Sequence, residues 1–268
     1  MSTYTFLVAP DFAAMHIPAW YQLNTLLQKL TGESIHLHIA SDFDDYYKHM
    51  QNQPSLIYAG PFDTVQLYRK FSYQPLLRPT FVSDEVVIFA HKDAGVTHID
   101  QVDKNFSVAC MRDYYVERIS LILMEPSGLG RKDVEWQSMD YVQQILRTVN
   151  NDPTVLGCIR AGIFNELSDI LKQNFQPVIQ SSLYVLFHTL LCAPNCEALH
   201  ASIVNKFNML NTFTDVLNAV NVPRGFKPMN NIHANFFCDL LDTLTWLVYP
   251  SLANANAYKF FVGVFYCP

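Results

Sequence analysis

The chain has 268 residues, of which 50% are hydrophobic and 16% are charged. A chain of this length and composition can bury the core of one large domain or two modest ones, which excludes a disordered protein. The formal net charge is -6 and no basic run stands out, so the electrostatic footprint of a nucleic-acid-binding protein is missing. A single pocket on an acidic protein can still be positive and bind an anion.

The first residues of the chain are typical of a β-strand and not of a secretory leader. They contain no basic segment, no long apolar segment and no small-residue cleavage site. No apolar run in the sequence reaches the roughly 18 residues that span a bilayer, so we expect no membrane span. We expect the chain as it stands to be cytoplasmic, or periplasmic if a signal peptide has been removed.

Strands and helices alternate through the first third of the chain. Apolar periodicity predicts strands at 4–8, 34–40 and 56–58, and helices at 17–30, 43–51 and from 61 onward. This alternation predicts a parallel sheet with right-handed crossovers. His36 and His38 point to the same face of their strand, and we interpret that face as solvent-exposed rather than as a metal-binding pair.

Two later strands, at 85–91 and 182–191, have the pattern expected of crossings between two lobes. Between them the sequence predicts a second unit of strands and helices, and after them it predicts mainly helices. A chain that leaves a lobe and returns to it forms a discontinuous lobe and an inserted one. We therefore predict a first lobe of residues 1–90 plus 190–268 and a second lobe of residues 91–189.

Six cysteines are scattered through the sequence: Cys110, Cys158, Cys192, Cys196, Cys238 and Cys267. A chain of this size needs no disulfide staples, so we expect buried free thiols. His200 follows Cys192 and Cys196, but the spacing is not that of a zinc knuckle, and the sequence has no second cysteine pair that would complete a zinc site. We predict no metal site and no cofactor, and a disulfide within this short segment stays open.

The turn between the strand at 56–58 and the next helix has the chemistry of an anion site. Gly60 lets the backbone approach a ligand closely, and Pro61 suits the first turn of a helix. Unpaired N–H groups and the positive end of the helix dipole would then face the ligand. A plain tight turn is the alternative.

Four segments in order resemble the phosphate/phosphonate-type solute-binding proteins of ABC transporters. Residues 56–63 read LIYAGPFD and residues 73–76 read YQPL. Residues 8–11 read VAPD at the first turn, and residues 41–43 read SDF before the second helix. In that family a strand that ends in Tyr-x-Gly-Pro leads into a helix whose N-terminus faces the ligand cleft.

The resemblance implies an α/β fold of the type 2 periplasmic-binding-protein class. Each of its two lobes is a mainly parallel sheet flanked by helices, and the ligand cleft lies between the lobes. The expected ligand is a small anionic solute, and the expected protein partner is an ABC transporter permease or another protein. The resemblance places these residues near the ligand: Pro10, Asp11, Phe43, Tyr58, Gly60, Pro61 and Phe62.

The chain departs from the family in the second lobe, at the loop that grips a phosphonate. The family has a Ser-Thr-Ser-Gly-like loop there, whereas residues 111–115 read MRDYY. Arg112 and Tyr114 thus replace hydroxyl donors, and Asp140 stands near the position of a family histidine. Phe43 likewise lacks the hydroxyl of the tyrosine expected there. Most of the family's direct ligand contacts therefore do not carry over.

Arg112 is the residue that we expect to bind the anion from the second lobe. It follows a strand, at the end where such sheets bind ligands, and a guanidinium suits a carboxylate or phosphate bidentately. We expect its guanidinium to reach the cleft opposite Tyr58. A surface arginine paired with Asp113 or Glu117 is the alternative. The carboxylates Asp11 and Asp140 favour a ligand that also carries an amine or several hydroxyls.

A solute-binding protein that is not an enzyme is the leading hypothesis, and two others stay open. The first is an enzyme on the same scaffold, although no histidine lies in a recognisable catalytic signature and no Gly-rich phosphate loop is present. The second is a ligand-free relative kept for sensing, regulation or protein interaction. The aromatic segment 258–266 is a candidate partner strand for such a role.

Overall fold

The computed structural model describes residues 3–248, and in this range two β-sheets are covered by helices. The strands are β1 (Thr3–Val8), β2 (Ser34–Ile39), β3 (Leu56–Ala59), β4 (Gln74–Pro79), β5 (Val86–His91), β6 (Ser107–Met111), β7 (Trp136–Met139), β8 (Val155–Arg160), β9 (Phe175–Gln180), β10 (Thr189–Cys192) and β11 (Phe226–Pro228). The helices are α1 (Ile17–Thr31), α2 (Phe43–Met50), α3 (Pro61–Lys70), α4 (Tyr114–Met124), α5 (Val142–Asn151), α6 (Ala161–Glu166), α7 (Asp169–Lys172), α8 (Glu197–Leu210), α9 (Thr214–Ala219) and α10 (Asn231–Val248). The predicted α/β alternation is confirmed.

Each sheet combines parallel strands with reversed ones, which are β10 and β11 in the first sheet and β5 in the second. The first sheet has the order β11-β4-β10-β3-β1-β2, and the second has the order β7-β6-β8-β5-β9. In the first sheet β1 pairs in parallel with β2 and β3, while β10 runs antiparallel to both β3 and β4. In the second sheet β6 pairs in parallel with β7 and β8, while β5 runs antiparallel to both β8 and β9.

Strands β5 and β10 are those that arrive from the other sheet, and both run antiparallel to their neighbours. Both sheets are therefore mixed rather than mainly parallel in their pairing. The chain crosses once between β4 and β5 and returns between β9 and β10. The predicted lobe boundary at residue 90 leaves most of the strand Val86–His91 in the first lobe, but this strand pairs wholly within the second sheet. The crossing therefore begins a few residues earlier than expected, and the lobe division as a whole stays a prediction.

Glu85 ties the two crossing connections together. Its carboxylate accepts hydrogen bonds from the hydroxyl of Ser181 and from the backbone N–H groups of Leu183, at 3.0 Å, and Tyr184, at 2.8 Å. The Ser83 hydroxyl donates to the same carboxylate at 2.7 Å. Several hydrogen bonds to one charged group hold the two connections at a fixed spacing.

The last helices return to the first sheet. Helix α8 packs on α1, β4, β10 and β11, and α10 packs on α3 and β4 but also reaches α4 beside the second sheet. Between residues 3 and 248, no helix is both long enough and apolar enough to cross a membrane. The predicted partner strand at 258–266 lies outside the described residues.

Candidate functional site

The carboxyl ends of four parallel strands from both sheets meet in one cleft. Asp11 and Gly60 follow β1 and β3 of the first sheet, whereas Asp113 follows β6 of the second sheet and Arg160 is the last residue of β8. Sheets of this kind bind ligands at the carboxyl ends of their strands because loops and helix N-termini gather there. The folding of both sheets therefore brings these four residues to the same place.

One buried guanidinium joins the two sheets across this cleft. Arg160 Nη2 lies 2.7 Å from Asp11 Oδ2 and 2.9 Å from Asp113 Oδ2, and Nη1 lies 3.1 Å from Asp84 Oδ1. The three carboxylates come from the first lobe, the second lobe and a crossing connection. Because its side chain is only 8% exposed, Arg160 makes these contacts in a largely desolvated place.

His188, in the second crossing connection, is the other cation of the cleft. Its Nε2 lies 2.9 Å from Asp11 Oδ2 and its Nδ1 lies 2.8 Å from Asp84 Oδ2, while its ring stacks on Tyr58. Burial lowers the pKa of His188, but the charges of Asp84 and Asp11 outweigh this and raise it to about 9. The imidazole is therefore protonated at neutral pH, even though Arg160 Nη1 lies 3.1 Å from Nδ1.

The acidic groups of the cleft have pKa values that move in opposite directions. Burial alone would raise the pKa of Asp11, but Arg160 and His188 hold it well below its usual range. Asp63, in the first turn of α3, is 8% exposed, and burial together with the charges of Asp113 and Asp11 raises its pKa to about 8. Asp63 is therefore mainly a neutral acid at neutral pH, while Asp11 is a carboxylate.

The Gly60–Pro61 turn faces these charges directly. Gly60 is the N-cap of α3, and the first helical hydrogen bond runs from the N–H of Thr64 to the carbonyl of Gly60 at 2.9 Å. A Cβ atom at Gly60 would lie 3.2 Å from Arg160 Nη2 and 3.7 Å from His188 Nε2. Glycine thus permits the close approach of the turn to both cations.

A cavity of about 130 Å³ opens beside the charged groups, with walls from both lobes. Asp11, Trp20 and Tyr58 line it together with Asp84, Arg160 and His188. At its other end Glu166 of α6 accepts hydrogen bonds from His16 Nε2 at 3.0 Å and from Asn221 Nδ2 at 2.7 Å. Polar contacts between the two lobes thus flank the cavity, at Arg160 and at Glu166.

Several of the residues expected near the ligand lie in or beside this cleft. Asp11 and Tyr58 line the cavity, Gly60 faces Arg160, and Pro61 is buried at the start of α3. Three others lie further out or deeper. Pro10 is half-buried before Asp11, Phe62 packs on Tyr115 and on the guanidinium of Arg118, and Phe43 is 2% exposed in the core against Tyr46. Their roles in ligand binding stay predictions.

Arg112 occupies a different place from the one expected. Its Nε lies 3.0 Å from Asp140 Oδ1 and its Nη1 lies 3.5 Å from Asp44 Oδ2, and its side chain is 45% exposed. Tyr114 is also partly exposed, with its ring 6.0 Å from that of Tyr47. Both residues lie in the bend between β6 and α4, where Asp113 caps α4 and contacts Arg160 while Arg112 turns to the rim.

The guanidinium that reaches the cleft is that of Arg160, which sequence reasoning missed. Arg160 is the last residue of β8, so the same strand-end argument that selects Arg112 applies to Arg160. Asp84 lies in an irregular connection, where no strand or helix pattern marks a functional residue. His188 falls within the strand predicted at 182–191, but that prediction is wrong for residues 182–188, because β10 begins only at Thr189 and leaves His188 in the connection before it. Asp113 was considered only as a surface partner of Arg112.

Two sheets joined by two crossings, with a charged cavity at the carboxyl ends of their strands, define a two-lobed solute-binding protein. The sequence profile of one family, described as "ABC transporter, phosphonate, periplasmic substrate-binding protein", matches residues 6–233. The chain belongs to this family. No curated protein matches the chain.

Solved structures of solute-binding proteins share the fold of this chain, although their sequences are only distantly similar to it. PhnD1 from Prochlorococcus marinus in complex with methylphosphonate superimposes with a TM-score of 0.74 at 11% identity, over 91% of this chain and 98% of PhnD1. A binding protein component of an ABC phosphonate transporter from Pseudomonas aeruginosa gives 0.76 at 11% identity, over 95% and 89%. The alkanesulfonate-binding protein SsuA from Xanthomonas axonopodis pv. citri, bound to MOPS, gives 0.66 at 12% identity, over 93% and 97%.

Proposed function

We propose that this chain captures a small acid in the cleft between its lobes, and that Arg160 and His188 bind the acidic group. Phosphonates, sulfonates and carboxylates are the candidate head groups, since the family is a phosphonate-binding one and similarly folded proteins have been solved with methylphosphonate and with MOPS. A guanidinium binds any of these oxyanions through two parallel hydrogen bonds.

The observation that carries this proposal is the position of the Arg160 guanidinium between carboxylates of both lobes. A ligand favours the closed state only if its affinity differs between the open and closed forms, which requires contacts with each lobe. Asp11 and Asp113 now stand where the oxygens of an anion would stand. An acid that enters the cleft replaces one or both of them as the partner of Arg160.

Displacing Asp11 or Asp113 has a cost that constrains the rest of the ligand. Removing one partner of a buried ion pair costs about 3–5 kcal/mol because the other charge stays buried and unpaired. The ligand therefore needs hydrogen-bond donors for the carboxylates that it displaces. We propose an acid that also carries an amine or several hydroxyl groups, and not a bare dianion.

Titration with a panel of small acids tests the proposal. The panel contains phosphate, methylphosphonate, an alkanesulfonate, an aminoalkylphosphonate, a hydroxy acid and an amino acid, and thermal shift followed by calorimetry measures affinity. We expect at least one amine- or hydroxyl-bearing acid to stabilise the protein. Arg160→Lys keeps the charge but loses the bidentate fork, so we expect it to weaken binding roughly ten- to a hundredfold, in line with about 1.5–3 kcal/mol for a charge-assisted contact.

Arg112→Lys is the matched control, because Arg112 is also paired with carboxylates but lies at the rim. We expect it to bind the same acid as tightly as the wild type. Equal losses in the two variants would remove Arg160 from its assigned role. No thermal shift with any acid would contradict the proposal as a whole.

A ligand-free relative is the second candidate function, and one observation favours it. Arg160 and His188 already have carboxylate partners, so the positive charges of the cleft are paired without a ligand. In such a protein the charged groups would hold the lobes together permanently for a protein partner. Small-angle scattering separates the two, because a solute receptor becomes more compact when the acid is added and a permanently closed relative does not.

Membership of the family also indicates which protein partner this chain has and in which compartment it acts. Its members are the periplasmic binding components of ABC transporters, and we propose that this chain delivers its solute to a transporter permease in that compartment without transforming it. The five cysteines that the structure describes are buried and free, which favours the cytoplasmic alternative because disulfides persist mainly in oxidising compartments. Fractionation of cells that express the natural gene decides between the two compartments.

A further inference from the structure

A second cluster of polar side chains lies on the first lobe, outside the cleft. His38 is on β2, and Asp45 and His49 are one helical turn apart on α2, which follows β2 in the chain. Residues four apart share one face of a helix, so Asp45 and His49 both face the strand that carries His38. We call these three residues the His–Asp–His cluster.

The distances within the His–Asp–His cluster are those of ligands around one metal ion. Asp45 Oδ2 lies 3.0 Å from His38 Nε2, and Asp45 Oδ1 lies 3.0 Å from His49 Nδ1. One ligand atom from each of the three residues lies within 4.8 Å of the others. Two ligands that are each about 2.1 Å from a tetrahedral zinc ion stand about 3.4 Å apart. Small side-chain adjustments therefore suffice to place all three around one ion.

We propose that the His–Asp–His cluster binds a transition-metal dication, with Zn²⁺ as the reference ion, and that solvent completes its coordination. Two imidazole nitrogens and one carboxylate oxygen suit zinc and its neighbours and do not suit calcium or magnesium, which take oxygen ligands. Among the residues whose side chains the structure describes, this is the one such group of three.

The surroundings of the cluster favour a cation. The side chains of His38, Asp45 and His49 are 36%, 25% and 38% exposed, so an ion reaches them from solvent without opening the core. The carboxylate of Asp45 accepts a hydrogen bond from the N–H of Ser41 at 3.0 Å, which holds it in place.

The same geometry limits the affinity. The rings of His38 and His49 are stacked, with centroids 3.8 Å apart and planes at 26°, so their nitrogen lone pairs must turn to converge on one ion. His49 Nδ1 also lies 3.0 Å from the backbone carbonyl of Asp45, and this hydrogen bond is lost if Nδ1 becomes the ligand. The site is not fully preorganised, and we expect micromolar rather than nanomolar binding of zinc.

Calorimetric titration of the full chain with zinc chloride, in a buffer that does not chelate metal, tests this inference. We expect one zinc ion per chain and a rise in the unfolding temperature with zinc concentration, because the ion binds only the folded cluster. His38→Ala and His49→Ala should each weaken binding at least tenfold, since each removes one of three ligands. Asp45→Asn should do the same.

His36→Ala is the matched control, because His36 lies on the same strand and is exposed but does not belong to the cluster. It should bind zinc like the wild type. Unfolding temperatures without metal show that each variant is folded. The inference is overturned if the wild type binds no zinc, if His36→Ala loses as much affinity as His38→Ala, or if the double variant of His38 and His49 keeps full affinity, which would place the ion elsewhere.

Discussion

Arg112 and Arg160 stand at the ends of neighbouring parallel strands of the second sheet, yet one lies on the rim of the cleft and the other in its interior. The side chain of Arg112 is 45% exposed and pairs with Asp140 and Asp44. The side chain of Arg160 is 8% exposed and pairs with three carboxylates. The end of a strand thus brings a residue near the cleft, and the direction of its side chain decides whether it enters.

The energetic consequence of this difference is large. A solvent-exposed ion pair contributes a median of about 0–1 kcal/mol, because water and salt screen the charges and two long side chains must be ordered. Breaking a buried ion pair by removing one partner costs about 3–5 kcal/mol. The comparison therefore predicts that the rim and the interior of the cleft respond very differently to the same substitution.

The largest effect is expected for Arg160→Met. Methionine fills a similar volume but leaves Asp11, Asp84 and Asp113 without their guanidinium partner, so the free energy of unfolding at pH 7 should fall by about 3–5 kcal/mol. Chemical denaturation measures this change. A loss of less than about 1 kcal/mol would mean that the interior charges are solvated like those of the rim.

The titration of His188 should also change the free energy of unfolding by a large amount. His188 has a folded pKa of about 9 against an ordinary value of 6.5, so its stabilising contribution is complete below pH 6.5 and is lost as the pH rises through 9. The shift corresponds to a change in the free energy of unfolding on the order of 3 kcal/mol. Chemical denaturation from pH 6 to 9.5 measures it, and His188→Gln should flatten the decline. An equally steep decline in that variant would assign it to other groups.

Asp63→Asn should have an effect of opposite sign, which is confined to neutral and alkaline pH. The folded pKa of Asp63 is raised from 3.8 to about 8, so ionisation of this buried acid destabilises the protein as the pH rises through that range. Asparagine cannot ionise, and we expect the free energy of unfolding at pH 8 to increase by several kcal/mol, on the order of 5 kcal/mol if the whole shift is realised. The gain should disappear at pH 4. A variant that is less stable than the wild type at pH 8 would show that the Asp63 carboxylate has a stabilising partner.

The smallest effect is expected at the rim. Arg112→Ala removes the contacts with Asp140 and Asp44, and because these side chains are exposed the free energy of unfolding should fall by roughly 0–1 kcal/mol. High salt should reduce even this difference. A loss comparable to that of Arg160→Met would show that the rim contact between Arg112 and Asp44 holds the lobes together.

The fold was largely predictable because its signals are local. Apolar periodicity predicts β1, β2 and β3 as well as α1 and α2, and the Gly60–Pro61 turn stands in the expected order with its neighbours. It was harder to predict which side chains point into the core or the cleft and which point to solvent. The sequence does not show that Phe43 turns into the core, nor that Asp113 rather than Arg112 points inward.

The charged network depends on the crossing connections and on tertiary assembly. Asp84 and His188 lie in irregular segments and are more than a hundred residues apart in sequence, so no spacing pattern joins them. Only the folded chain brings them to Arg160 and Asp11. The class of protein was therefore readable from local landmarks, whereas the identity of the cations in its cleft was not.

The Nε–H resonance of Arg160, followed by NMR while the best-binding acid of the panel is added, tests the central claim most directly. Arg160→Lys identifies the Arg160 signal by its disappearance, and Arg112→Lys identifies that of Arg112. If the acid binds between the lobes in place of Asp113 or Asp11, the Arg160 signal should shift until the site is saturated while the Arg112 signal stays unchanged. A shift confined to Arg112, with Arg160 unmoved at saturation, would contradict the account.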